Sequence, residues 1–160
     1  MLIPLDKMVK HYNMHITGVL HIGAHECEEQ KFYLNEKINP DNIHWVEAMQ
    51  DKVDLMLMSN SLLNVYQAVI SDKNDEIVEF KITNNGQSSS ILDLGTHEKH
   101  HPHVHVTDTV KLKTTKLDTL INNKKINMNS VNFLNLDIQG AELLALKSMV
   151  ENLKYIKYIY

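Results

Sequence analysis

The chain has 160 residues, 43% hydrophobic and 22% charged, with a net charge of −4 and one cysteine. That length and balance suit one ordinary globular domain and exclude a disordered or fibrous chain, and no apolar run approaches the ~20 residues of a membrane span. All sixteen basic residues are lysine; without arginine's bidentate fork, a net-negative chain is poorly equipped to read nucleic-acid sequence.

Residues 1–15 are predicted to form an amphipathic N-terminal helix, with Ile3, Leu5, Met8 and Tyr12 on one side. Asp6, Lys7, Lys10 and His11 leave no apolar core for a signal peptide. The lone Cys27 can form no internal disulfide, so a reducing, cytoplasmic location is expected. Ile16–Ile22 is apolar on both faces, as in a buried parallel strand, and ends at Gly23. Residues 26–37 have helical composition and stop near Asn39-Pro40. A second strand at 42–47, a helix at 50–60 and a third strand at 64–70 follow.

Residues 76–82 alternate as a half-exposed strand. The stretch 83–104 is polar and rich in histidine, and reads as a long surface loop of the kind that carries function. Another strand is expected over 104–113, a short helix at 117–122, a buried strand at 131–137, a helix at 141–153 and a last strand from Tyr155 to Tyr160. The helix at 141–153 is expected to bury Leu143, Leu144, Leu146, Met149 and Val150. Strands alternating with helices predict a single α/β domain, mostly parallel, with helices on both faces of the sheet.

Ligands of such sheets bind at the carboxyl ends of the strands. Gly23 ends the first strand, and the helix after it is expected to offer free N–H groups. Glu47 ends the second strand, twenty-four residues on, where an acid can accept from both hydroxyls of a ribose. Asp137 ends a later strand and leads into Gln139-Gly140-Ala141-Glu142. The dinucleotide fingerprint G-x-G-x-x-G is absent, and Glu26, Glu28 and Glu29 would repel a pyrophosphate. An adenosine ligand without phosphate, such as S-adenosylmethionine, fits these residues better. A nicotinamide-dependent oxidoreductase is a less favoured alternative.

Six blocks occur in order: Val19–His25, Trp45–Ala48, Val65–Asp72 with the strand Ile77–Phe80, Asn85–Ser90, Thr115–Leu120 and Leu134–Glu142. On these the chain resembles the FkbM family of S-adenosylmethionine-dependent methyltransferases over roughly Thr17–Tyr160. The last block is similar to the family's K-I-D-V-E-G-A-E signature. The resemblance implies a Rossmann-like class I methyltransferase sandwich that methylates hydroxyl groups on sugars or other small molecules. It implies cofactor contacts from Gly23, Ala24, His25, Glu26, Glu47, Ala48, Ala68, Val69 and Asp137. Asp137, Glu142, His25 and the histidines of the long loop are the candidates for a general base.

Departures from the family pattern are specific. The family usually has Asp at His21, Asn at His25, Gly at Cys27, Lys at Asn135 and Glu at Gln139. Loss of the acid at position 21 is expected to weaken contacts around the cofactor's methionine ammonium, with Asp137 and Glu26 as compensating acids. The family's domain normally continues past this strand into a closing hairpin, so the expectation is either that a part is missing or that another copy covers the strand at 155–160, with a truncated non-catalytic binding domain as the alternative.

Two bland assignments complete the reading. Cys27 is expected to be a buried structural thiol, because the surrounding glutamates oppose a thiolate. The histidines within His97–His105 are expected to be a solvated loop without metal, and Asn85–Ser90 is equally suited to a polyol or to a plain loop.

Overall fold

The computed structural model describes residues 3–95 and 100–160. The chain divides into two compact units, one of Met1–Gln67, Asn127–Asn135 and Lys154–Tyr160, the other of Ala68–Ile126 and Leu136–Leu153.

The first unit carries helices α1 (Leu5–Tyr12), α2 (Gln30–Asn35) and α3 (Gln50–Ser59) and strands β1 (Val19–Ile22), β2 (Ile43–Glu47) and β3 (Asn64–Gln67). In the second lie β4 (Val69–Ile70), β5 (Ile77–Thr83), β6 (Val106–Thr115), α4 (Leu117–Lys124) and α5 (Glu142–Lys147). Strand β7 (Phe133–Leu136) and the short β8 (Tyr158–Ile159) complete the five-stranded sheet, in the order β3-β2-β1-β7-β8. Pairings β1–β2, β2–β3 and β7–β8 are parallel. This is the expected α/β, Rossmann-like sheet flanked by helices.

Every residue of β1, β2 and β7 is buried, which explains why these segments read as mostly apolar strands, with His21, His44, Glu47 and Asn135 the polar side chains taken inside. Leu5 of α1, Tyr33 of α2, and Val53 and Met56 of α3 pack in one cluster with Val19, Ile43, Trp45 and Phe133. Between β1 and its neighbours the backbone runs close: a Cβ at Gly18 would sit 2.3 Å from the Ser130 carbonyl oxygen and 2.7 Å from that of Asn42.

Four elements differ from the sequence reading. The segment 64–70 is not one strand: β3 joins the five-stranded sheet, while β4 pairs with β6 in a separate sheet of order β4-β6-β5. Strand composition runs across Gln67-Ala68 without a turn residue to mark the change of sheet. The helix expected over 26–37 is only α2, because His25 and Cys27 adopt φ of 47° and 57° and turn the chain before it. The helix expected over 141–153 stops at Lys147; Leu143 and Val150 are 61% and 74% exposed, so the broad apolar face narrows to Ala145 and its neighbours. The N-terminal helix covers Leu5–Tyr12 rather than 1–15, and ends where Asn13 turns left-handed.

Candidate functional site

In the first unit, the turn after β1 closes upon itself. The N–H groups of Gly23 and Ala24 donate to the Val46 carbonyl at 2.9 and 3.0 Å, and that of Cys27 to the Ala24 carbonyl at 2.7 Å. His25 N–H donates to Glu47 Oε2 at 2.9 Å, and Glu26 N–H to Glu28 Oε2 at 3.1 Å. All five backbone donors from Gly23 to Cys27 therefore have partners within the unit. The left-handed residues fold these turn amides back onto strand and side-chain oxygens, ahead of the helix that begins at Gln30.

Glu47 is 8% exposed, and its other oxygen accepts the Met49 N–H at 3.0 Å. Two backbone bonds occupy about half of a carboxylate's four acceptor positions, leaving room for a diol. Ala24 is buried beneath the turn, and the Ala48 carbonyl is fixed by Gln67 Nε2 at 2.8 Å. The residues present thus suit a neutral or cationic ligand with vicinal hydroxyls, and supply no amide cradle for a pyrophosphate.

His25 Nδ1 lies 2.7 Å from Glu28 Oε1. Partial burial opposes the charge on Glu28, but hydrogen bonds from its own N–H, from His25 and from the Glu26 N–H hold its carboxyl below the usual range. His25, Glu26 and Glu28 offer ligand atoms within 4.8 Å of one another, the one such grouping among the described residues, and Lys52 stands 3.9 Å from Glu26. Sequence reasoning passed over Glu28 as a partner for His25, although the i,i+3 spacing was visible. His101 and His103 meet ring to ring at 5.9 Å, and with His105 they form no ligand set among the described residues. His97 lies outside the described residues.

Beneath the turn, His21 is 1% exposed and faces the core instead of a ligand. Asn135 Nδ2 donates to Tyr33 Oη at 2.9 Å, and Tyr33 Oη meets His21 Nδ1 at 3.1 Å. A hydrogen bond to the Gly23 backbone links the imidazole to the turn above. Burial drives the His21 pKa down to about 4, against the opposing field of Glu29, so the ring is neutral at physiological pH. The Trp45 ring lies 4.8 Å from that of His21. Trp45 Nε1 and Asn135 Oδ1 are buried without a hydrogen-bond partner. The two departures from the family pattern at 21 and 135 are thus in contact, Asn135 Nδ2 lying 3.3 Å from His21 Nδ1.

Cys27 is 5% exposed, with Sγ 3.1 Å from Met56 Sδ. Burial and then Glu28 push its pKa up to about 12, which agrees with a structural thiol.

In the second unit, β7 leads through Asp137 into a turn with Gln139 at φ 55° and Gly140 at φ 101°. Glu142 Oε1 accepts the Ile138 and Gly140 N–H groups at 3.2 and 3.1 Å, so this carboxylate fixes the turn. Asp137 Oδ1 accepts from Gln139 Nε2 at 2.7 Å. Ser90 Oγ bonds the Ile138 and Gln139 carbonyls, both at 3.2 Å, and receives the Leu92 N–H. Around them is a cavity of about 330 Å³, lined by Ser88, Ser90, Leu92, Asp93, Asp137, Gln139 and Glu142. Of the polar stretch at 85–90, Ser88 and Ser90 line this cavity; Leu92 and Asp93 were not foreseen, since nothing in a loop's composition shows which side chains turn inward. Ala68 and Val69, also in this unit, are buried.

The model of the methyltransferase FkbM domain matches residues 21–160. The chain belongs to the FkbM methyltransferase family. No curated protein and no solved structure matches it. It is a methyltransferase and so requires a methyl donor. Among the described residues no helix is long and apolar enough to cross a membrane.

Proposed function

We propose that this methyltransferase takes its methyl group from S-adenosylmethionine and delivers it to a hydroxyl of a sugar or another small polyol. The observation that carries the donor is the turn at Gly23–Cys27: its amides are all engaged, while buried Glu47 keeps acceptor capacity for a ribose diol. A nicotinamide dinucleotide would need the phosphate cradle that this turn lacks. Glu26, with Glu28 held in its charged form by its own N–H and by His25, favours a cationic ligand over an anionic one. Bound S-adenosylmethionine supplies an already activated methyl group, so the protein's task is alignment and removal of the acceptor proton.

For the remaining residues, Gly23, Ala24, His25, Glu26, Ala48, Ala68 and Val69 are assigned to donor contacts. Asp137 is assigned as the general base: it lines the 330 Å³ cavity and accepts from a side-chain amide, that of Gln139, whereas Glu142, on the same wall, holds two backbone N–H groups of the turn. The buried, unreactive thiol of Cys27 supports a reducing, cytoplasmic location.

The test is calorimetric titration with S-adenosylmethionine and with NAD, followed by a methyl-transfer assay against a panel of neutral sugars. Binding of the first ligand alone, weakened at least tenfold in Glu47→Ala, is expected. Asp137→Asn should lower turnover by about a hundredfold with donor affinity retained. Tight NAD binding without S-adenosylmethionine binding overturns the reading, and donor binding with no turnover on any hydroxyl overturns its catalytic part.

A further inference from the structure

Helix α1 presents a surface that the methyl-transfer reading does not use. A groove of about 810 Å³ runs along it, floored by Ile3, Met8, Tyr12 and Tyr160 and rimmed by Lys7, Lys10 and His11. Ile3 and Tyr12 are 53% and 70% exposed, while Leu5, on the inward face of the same helix, is buried. No Asp or Glu side chain lines the groove, and Lys7 and Lys10 have no ion-pair partner among the described residues. The acid of the helix, Asp6, is outside the groove's lining. In a chain of net charge −4, an apolar groove with an unopposed cationic rim runs against the overall charge.

We propose that this face of α1 docks on an anionic lipid bilayer. The charge complementarity is of the kind that anionic headgroups satisfy: lysine ammoniums on flexible stems beside aliphatic and phenolic side chains, lying along a surface helix. Lysine is a mobile point charge without a fixed fork, which suits a fluid field of headgroups better than a carboxylate in one fixed place on a partner protein. Ile3 then enters the headgroup boundary, over Met8 and Tyr160 that pack on the core, while Lys7 and Lys10 stay among the phosphates and the phenol of Tyr12 sits at the level of the interface. The helix is short, so attachment is reversible and depends on salt.

The experiment is co-sedimentation of the full chain with vesicles of phosphatidylcholine alone and with about a third phosphatidylserine, at low and high salt. Partition is expected on the anionic vesicles at least tenfold above the neutral ones, falling with salt. Each lysine contributes about fivefold, so the double variant Lys7→Glu/Lys10→Glu should lose most of it. Tyr12→Ser should lose a smaller part, and Lys111→Glu/Lys113→Glu on β6 should lose none. Circular dichroism of each variant verifies folding, and the exposure of these side chains makes misfolding of all of them at once implausible. Equal partition on both vesicles, an equal loss in the β6 variant, or binding to a polyglutamate peptide with none to vesicles overturns the proposal.

Discussion

Two turns in this molecule follow a buried strand, and both are held by a glutamate that accepts two backbone N–H groups. After β1 the glutamate is Glu47, buried and using one oxygen for each bond. After β7 it is Glu142, with one oxygen taking both. The first turn folds its amides into the unit and rests on a buried polar chain of Asn135, Tyr33 and His21. The second leaves Asp137 and Gln139 on the wall of a cavity. The same device therefore serves two ends. The first turn has its amides satisfied within the unit, whereas the second sets a carboxylate bonded to Gln139 on a cavity wall.

The largest expected effect tests how rigid the first region is. Gly18→Ala sets a Cβ against two carbonyl oxygens of the backbone, neither of which can rotate away. A loss of more than about 3 kcal/mol is expected, seen in urea denaturation or as failure to fold. A mild effect would mean that the sheet beneath the first turn can shift.

A double-mutant cycle sharpens the same point. His21→Asp buries a carboxylate and Asn135→Lys an ammonium, each expected to cost about 3–5 kcal/mol alone. The double variant recreates the opposite-charge residues that the family usually carries at these positions, and should be more stable than the sum of the singles. Additive losses would show that the contact between the two side chains carries no coupling.

Acid is the next lever. Unfolded His21 takes up a proton near pH 6.5, while the folded ring resists to about pH 4. Stability is therefore full above about 6.5 and falls as the pH drops towards 4, by on the order of 3 kcal/mol. Glu28 acts in the same direction, but only below its ordinary value of 4.5. Denaturation curves at pH 7.5, 5.5 and 4.5 should show the loss already at 5.5, and His21→Gln should flatten it in that upper range.

The smallest effect belongs to the second region. Ser90→Ala removes the hydroxyl that ties the cavity wall to the carbonyls after Asp137. A stability loss of about 1 kcal/mol is expected, with a larger change in acceptor KM than in donor affinity. Loss of donor affinity instead would erase the functional distinction between the two turns.

Much of the architecture was legible because β1, β2 and β7 are buried on both faces and their side chains say so. Glu47 was legible because its distance from Gly23 is set by one crossover of the chain. The short α2 was not, since His25 and Cys27 are ordinary residues for a helix start and only the folded context holds them left-handed. The burial of His21 followed from its place in a strand apolar on both faces, but its partners did not: only the fold brings Tyr33, Trp45 and Asn135 to its ring.

Trp45 is the only tryptophan of the chain, and it lies fully buried against the imidazole of His21. A neutral imidazole leaves indole emission largely intact, whereas an imidazolium at that separation quenches it. The molecule therefore contains its own optical gauge: intrinsic fluorescence reads the charge of one buried side chain, without a label, in the layer directly below the turn proposed to bind the donor.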